Sequence, residues 1–133
     1  MTASQALTFH KEERICSKLL IERLFSNTNS HSLAAFPLRV IFTLVEMNDG
    51  EVPVQVLVSV PKRCFKHAVK RNRAKRQIRE AYRKHKALLI EKMEAHPDHR
   101  LLIAFVWIDR NLQTTEKVEQ RVVNLMKRVA ERL

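Results

Sequence analysis

Apolar positions recur along this chain at two different periods, and the changes of period mark its elements. Leu20, Ile21, Leu24 and Phe25 fall at helical spacing behind Ser17, whose hydroxyl suits an N-cap, so a helix is expected over 17–25. The polar run 26–30 stops it. Residues 38–45 are rich in β-branched and aromatic side chains and read as a strand, with Leu38, Val40, Phe42 and Leu44 on one face. Asn48-Asp49-Gly50 is a turn signal, because Asn and Gly accept positive φ. Residues 54–60 form a second strand ended by Pro61, and the two strands are expected to pair as a hairpin. A long helix is expected over 65–93, then a break at His96-Pro97-Asp98. The nearly unbroken apolar run 101–108 fits a buried strand, with Trp107 as core at its end. Thr114 or Thr115 caps a last helix whose stripe Val118, Val122, Leu125, Val129 and Leu133 faces inward.

The order is therefore helix, two or three strands, helix, strand, helix. It predicts an α/β fold in which helices pack on a small sheet, with the 65–93 helix as a crossover. The chain has 133 residues and 45% hydrophobic composition, enough for one domain with its own core over 1–133, preceded by an arm at 1–13. Lys11, Glu12, Glu13 and Arg14 interrupt any apolar leader, and no run approaches the roughly 18 apolar residues of a membrane span. Cys16 and Cys64 are too few for a disulfide framework. A soluble, cytoplasmic protein without a membrane partner is expected.

Charge changes the picture most. The formal net charge is +11, from 25 Lys and Arg against 14 acids. Residues 62–86 hold twelve of those bases and a single acid, Glu80, so this segment alone accounts for the whole excess. Concentration in a fifth of the chain reads as a footprint for a polyanion. On a helix turning about 100° per residue, Ala74, Ile78, Ala81, His85 and Leu88 fall within an arc of about 80°, the packing face. Lys75, Arg76, Arg79, Arg83 and Lys86 occupy another arc of about 100°, most of it toward solvent. A solvated face balanced by i,i+4 pairs would need more acids than Glu80. A membrane-surface helix would need larger apolar residues than Ala74, Ile78 and Ala81. Arg dominates the densest part, at 71, 73, 76 and 79, and its planar fork matches phosphate oxygens. A phosphate backbone is the partner that fits.

Signals for protein-based catalysis are weak. His96-x-x-His99 is a poor ligand pair with no Cys near in sequence, Asp98 and Asp109 stand alone, and neither a Ser-His-Asp set nor a Gly-rich phosphate loop occurs. No catalytic side chain and no protein-held metal or cofactor is expected.

The segment Val58-Ser59-Val60-Pro61-Lys62-Arg63, followed by the run 68–83 with Arg71-Asn72-Arg73 at its heart, resembles the signature of the bacterial ribonuclease P protein subunit. The resemblance extends from about Glu13 to Leu133 through the order of elements. It implies a two-layer α/β (α+β) sandwich, a sheet of about four strands with three helices and a left-handed βαβ crossover, the fold of the second domain of a ribosomal small-subunit protein. It also implies a chain that binds a catalytic RNA and the 5′ leader of precursor tRNA, while the RNA with bound magnesium cleaves the leader off; no obligate protein partner is implied. By that resemblance the RNA subunit would meet Arg71, Asn72, Arg73, Lys75, Arg76, Arg79 and Arg83, together with Lys62, Arg63, Lys66 and Lys70. The leader would lie in a cleft between the first helix and the sheet, at Arg14, Ile21, Phe25 and Phe42. Two positions depart from the family pattern: Ile21 stands where Phe is common, and Lys66-His67 replaces a Gly-Asn pair. Phe25 and Phe42 serve equally well as core residues, and Phe9 is a candidate cover for the cleft. The alternative is a non-enzymatic RNA-binding module such as a ribosome-associated protein. A DNA-binding reading is weaker, for want of a dimerisation signal or a helix-turn-helix pattern.

Overall fold

A strand apolar on both faces is stable only in the middle of a sheet, with each face covered. In the computed structural model, which describes Phe9, residues 11–26 and residues 30–133, the elements are a 3-10 turn (Lys11–Glu13), α1 (Lys18–Phe25), β1 (His31–Ala35), β2 (Leu38–Glu46), β3 (Val54–Ser59), α2 (Ala68–His85), α3 (Ala87–Glu94), β4 (His99–Trp107) and α4 (Thr115–Glu131). The sheet order is β1-β2-β4-β3. Strand β4 runs antiparallel to β2, from Leu38↔Trp107 to Glu46↔His99, and parallel to β3, from Val54↔Leu101 to Ser59↔Val106.

The expected hairpin of residues 38–45 with 54–60 does not form, because β4 lies between the two strands. The turn itself is there: Gly50 has φ 82° and the Glu51 N–H donates to the Asn48 carbonyl at 3.2 Å. It delivers the chain past β4 instead of back onto β2, since β4, buried from Arg100 to Phe105, needs a neighbour on each side. The hairpin is β1–β2, joined through Phe36-Pro37, whose peptide bond is cis. Strand β1 supplies the third of the strands expected before the basic helix.

The long helix expected over 65–93 starts later and is divided. Residues 61–67 make a turn, with the Cys64 N–H donating to the Pro61 carbonyl at 3.0 Å. The break between α2 and α3 falls at Lys86, whose ammonium turns inward to Glu13 at 2.7 Å. Lys86 is only 4% exposed, so its expected place on the solvent arc is overturned. The ends of α1 and α4 are capped as their sequences require. Ser17 Oγ accepts from the Leu20 N–H at 3.4 Å and Thr114 Oγ1 from the Lys117 N–H at 3.2 Å. Such caps contribute about 0.5–2 kcal/mol each.

The two faces of the sheet are covered unequally. Leu38, Val40 and Phe42 of β2, Val54 and Val56 of β3, and Leu101, Ile103, Phe105 and Trp107 of β4 form one core with Ala74, Ile78 and Tyr82 of α2, Leu89 of α3 and the α4 stripe. The opposite face carries a small cluster, Val45, Leu102 and Ala104, closed by Ile15 and Leu24 with Leu20 and Ile21 packed against it. Sheet plus α2–α4 is the two-layer sandwich, and α1 lies on the outer side. Residues 1–8 and 10 of the expected arm lie outside the described residues. Past them, Arg14 makes a parallel bridge to Val56, and the Ile15 N–H donates to the Val56 carbonyl at 2.9 Å, along the free edge of β3. No helix among the described residues is long and apolar enough to cross a membrane.

Candidate nucleic-acid interface

The outer side of α2 and the turn before it carry the basic segment. Ala74, Gln77, Ile78, Ala81 and Tyr82 are buried, which leaves Lys70, Asn72, Arg73 and Arg76 exposed and Lys75 and Arg79 half-buried. Lys62, Arg63 and Lys66 are exposed on the turn. The side-chain ion pairs among the described residues take Arg83, His85, Lys86 and Arg100. None of Lys62, Arg63, Lys66, Lys70, Arg73, Lys75, Arg76 and Arg79 has a carboxylate partner there. A row of cations held on a rigid helix without internal counter-charges attracts a polyanion strongly, because few local pairs need breaking first.

Three of the basic residues differ from that row. Arg71 Nη1 donates to the Phe65 and Lys66 carbonyls, each at 2.8 Å, so its guanidinium pins the turn that presents Lys62, Arg63 and Lys66. Lys66 and His67 lie in this turn, which Arg71 ties to the first turn of α2. Arg83 forks onto Glu80, with Nη2–Oε1 at 2.5 Å and Nε–Oε2 at 3.1 Å; this hydrogen bonding holds the Glu80 carboxyl below the usual carboxylate range and raises the guanidinium's own pKa. Lys86 is the buried partner of Glu13. Arg79 is lowered from the usual guanidinium range, first by burial and then by the like charge of Arg14. Arg14 reaches α2 through Phe9, whose ring lies 5.2 Å under its guanidinium and meets Tyr82 edge-on at 5.4 Å.

The residues expected to line the cleft do not all meet. Ile21 is half-buried under α1 and Phe25 is 38% exposed at its end. Phe42 is 2% exposed and belongs to the core on the other face of the sheet, so it cannot line a cleft between α1 and the sheet. The reason is strand alternation: Phe42 shares its face with Leu38 and Val40, while Arg39, Ile41 and Thr43 point toward α1's side. Because α1 has only eight residues, it leaves part of that face open. Ser32 and Arg39 are exposed there, with Arg39 Nε donating to Ser32 Oγ at 2.7 Å, and Ser59 and Val106 are half-buried. Ser32 and Arg39 went unnamed in the sequence reading; the odd-numbered positions of β2 were the signal that could have found Arg39. At the other end of α1 a groove of about 350 Å³ is lined by Lys11, Glu12, Arg14, Cys16, Ser17, Leu20 and Gln55.

Among the described residues no three His, Cys, Asp or Glu side chains gather as a metal site. His96 and His99 diverge: His96 Nε2 lies 2.8 Å from the Leu133 carbonyl, while His99 is exposed at the start of β4. Burial and the nearby Glu13 charge push the Tyr82 phenol well above its ordinary range, so it remains a neutral core group.

Comparison with known proteins fits this arrangement. The family model described as ribonuclease P matches residues 9–130. The ribonuclease P protein component of Porphyromonas gingivalis is 32% identical over 98% of this chain and 92% of its own length. That of Chlorobium phaeobacteroides is 31% identical over 95% and 90%. Among solved structures, the RNase P protein of Thermotoga maritima superposes with a TM-score of 0.60 at 21% identity, covering 86% of this chain and 94% of that one, a likeness of fold. With a family model spanning nearly every described element and a relative matched along almost its full length, this chain belongs to the ribonuclease P protein family.

Proposed function

We propose that this chain is the protein subunit of a cytoplasmic ribonuclease P, docking a catalytic RNA on the outer side of α2 and guiding the 5′ leader of precursor tRNA along the open sheet face beside α1. The observation that carries the reading is the row Lys62, Lys70, Arg73 and Arg76, exposed and without carboxylate partners among the described residues. Arg63, Lys66, Lys75 and Asn72 extend it. Arg–phosphate bonds are charge-assisted and often bidentate, which gives orientation as well as affinity. Arg71 and Arg83 act behind this row, one by ordering the turn and the other paired with Glu80. Single-stranded leader is held differently, by shallow contacts to backbone and bases, for which Phe25, Arg39 and Ser32 offer a ring, a charge and a hydroxyl. Bond cleavage belongs to the RNA, whose magnesium ions supply the charge neutralisation that phosphodiester chemistry needs. The protein binds and aligns.

The test is reconstitution. Purified chain, a bacterial ribonuclease P RNA and precursor tRNA are mixed at low magnesium, and 5′ cleavage is measured against RNA alone. Stimulated cleavage at the mature 5′ end is expected; no stimulation overturns the reading. Affinity for the RNA should fall with salt, with a slope of about 0.7–0.9 per phosphate contacted, and Arg73→Ala with Arg76→Ala should flatten it by about two contacts' worth.

A further inference from the structure

Gln77 follows Arg73 by one helical turn, so the two lie on the same side of α2, yet Gln77 is only 8% exposed. Its Nε2 donates to the Gln113 carbonyl at 3.0 Å and to Thr115 Oγ1 at 3.2 Å, at the start of α4. Gln113 is in turn held by the buried Asp109 carboxylate, so these acceptors are fixed in place. They also fix which way the amide faces, because exchanging its oxygen and nitrogen would set one carbonyl against another. The oxygen at the other corner, Oε1, is buried and has no hydrogen-bond partner among the described residues. A buried acceptor left so is a cost that an incoming donor removes.

Against this residue lies a hollow of about 300 Å³, lined by Arg73, Arg76, Gln77, Glu80 and Thr115. Its groups sort by chemistry. Arg73 and Arg76 have no carboxylate partner among the described residues. Thr115 Oγ1 accepts from Gln77 and keeps its own proton to donate. Glu80 is the acid among them, and the Arg83 fork occupies both of its oxygens. The hollow thus offers donors to an anion and, from its one buried wall, an acceptor to a hydroxyl. A DNA backbone brings phosphate without that hydroxyl, whereas each nucleotide of RNA brings both. We infer that the hollow takes one ribonucleotide of the catalytic RNA: Arg73, Arg76 and Thr115 hold a phosphate, and Gln77 Oε1 accepts from the neighbouring 2′-hydroxyl. The inference rests on the RNA docking proposed above and adds to it a residue that reads the sugar. The last torsion of a Gln side chain is soft, so Oε1 can turn toward the hydroxyl while Nε2 keeps its partners. A base amine is a less suitable donor, since it depends on one base in one orientation, while phosphate and 2′-hydroxyl neighbour each other in every nucleotide. A row of cations by itself binds RNA and DNA alike. Gln77 gives the dock its means of telling them apart.

The test maps interference on a bacterial ribonuclease P RNA carrying scattered 2′-deoxy substitutions, sorted by binding to the purified chain. Wild type should discriminate against 2′-deoxy at a position where that single change costs about threefold to tenfold in affinity, the range for one neutral hydrogen bond. Gln77→Met, which keeps the side chain's length and removes the acceptor, should erase that signal and weaken binding of unmodified RNA by a similar factor. Ethylation of a phosphate adjoining the same nucleotide should also interfere, and Arg73→Ala or Arg76→Ala should erase that second signal. Thermal unfolding separates lost contact from misfolding. If Gln77→Met does not fold, the wild-type and Arg76→Ala maps decide, because the sugar signal must adjoin the phosphate signal that Arg76→Ala removes. A Gln77 that only braces α2 against residues 113–115 predicts easier unfolding with an unchanged map, and that result overturns the site. A wild-type map without a sugar-sensitive position overturns it too, as does a signal that follows removal of a base amine in place of the hydroxyl. Each of these leaves RNA docking intact. A chain that does not bind the RNA at all sinks the docking reading, and the site with it.

Discussion

The two faces of one sheet make the most instructive pair of surfaces in this molecule. One face is closed by α2, α3 and α4 into a continuous core running from Leu38 to Trp107. The other is closed by eight residues of α1 over a handful of side chains, and beyond α1 it offers Ser32, Arg39 and half-buried Ser59 and Val106 to solvent. The same strands serve both, alternating residue by residue. Covering a face converts its residues to stability, and leaving it open keeps them available to a ligand. The difference lies in which helices the chain can spare.

That comparison can be broken most directly at Phe42. On the closed face, Phe42→Ala should lower stability by about 3–5 kcal/mol, measured by urea unfolding, with no change in the preference for precursor over mature tRNA. The opposite result, intact stability with lost preference, would exchange the roles of the faces. A loss of about 3–5 kcal/mol is also expected for Lys86→Ala, which takes the ammonium away from the buried Glu13 carboxylate, whereas exposed Lys84→Ala should stay within about 0.5 kcal/mol. On the open side, Phe25→Ala should weaken leader binding by about 1–3 kcal/mol if a base stacks there, with a much smaller effect on unfolding. Equal loss of binding to mature tRNA would show that Phe25 is not a leader contact.

The smallest effect is electrostatic. Hydrogen bonding to His85 at 2.9 Å holds the Glu119 carboxyl below its usual range, and Glu80 is held down likewise by Arg83. A depressed folded-state pKa contributes stability above the unfolded carboxylate pKa, and that contribution is lost as pH falls through the folded value. Stability should therefore decline on acidification through and below the ordinary carboxylate range, by no more than about 0.5 kcal/mol per surface pair. Glu119→Gln and Glu80→Gln should each remove their share, read as a flatter profile of unfolding midpoint against pH.

Much of this was legible residue by residue. Helices α1 and α4 follow from apolar spacing behind Ser17 and Thr114, and both caps are in place. The unalternating run of β4 announced a doubly covered strand, yet its position between β2 and β3 was hidden, because sequence adjacency and the Asn48–Gly50 turn pointed to a hairpin. Strand β1, His-Ser-Leu-Ala-Ala, has little β-propensity of its own and is held by pairing with β2. The basic side of α2 was readable as charge, but charge alone could not sort its members. Lys86 looks like its neighbours until Glu13, 73 residues earlier in the chain, is packed against it. For Phe42, alternation fixed its companions and left open which face α1 would cover. Long-range pairing decides such questions, and local pattern does not contain it.

The central place of β4 also sets a timetable for synthesis. Of the ladders between strands only β1–β2 can form before β4 exists; the inner edge of β3 and the far edge of β2 both wait for it. At ribosomal rates of about 5–20 residues per second, the stretch from the end of β2 to the end of β4 takes several seconds to emerge. Through that interval the nascent chain carries apolar strands without neighbours beside a finished, strongly basic helical segment. A chaperone for the first and an RNA for the second can both arrive before the native sheet does, so assembly with RNA is open to begin on the ribosome itself.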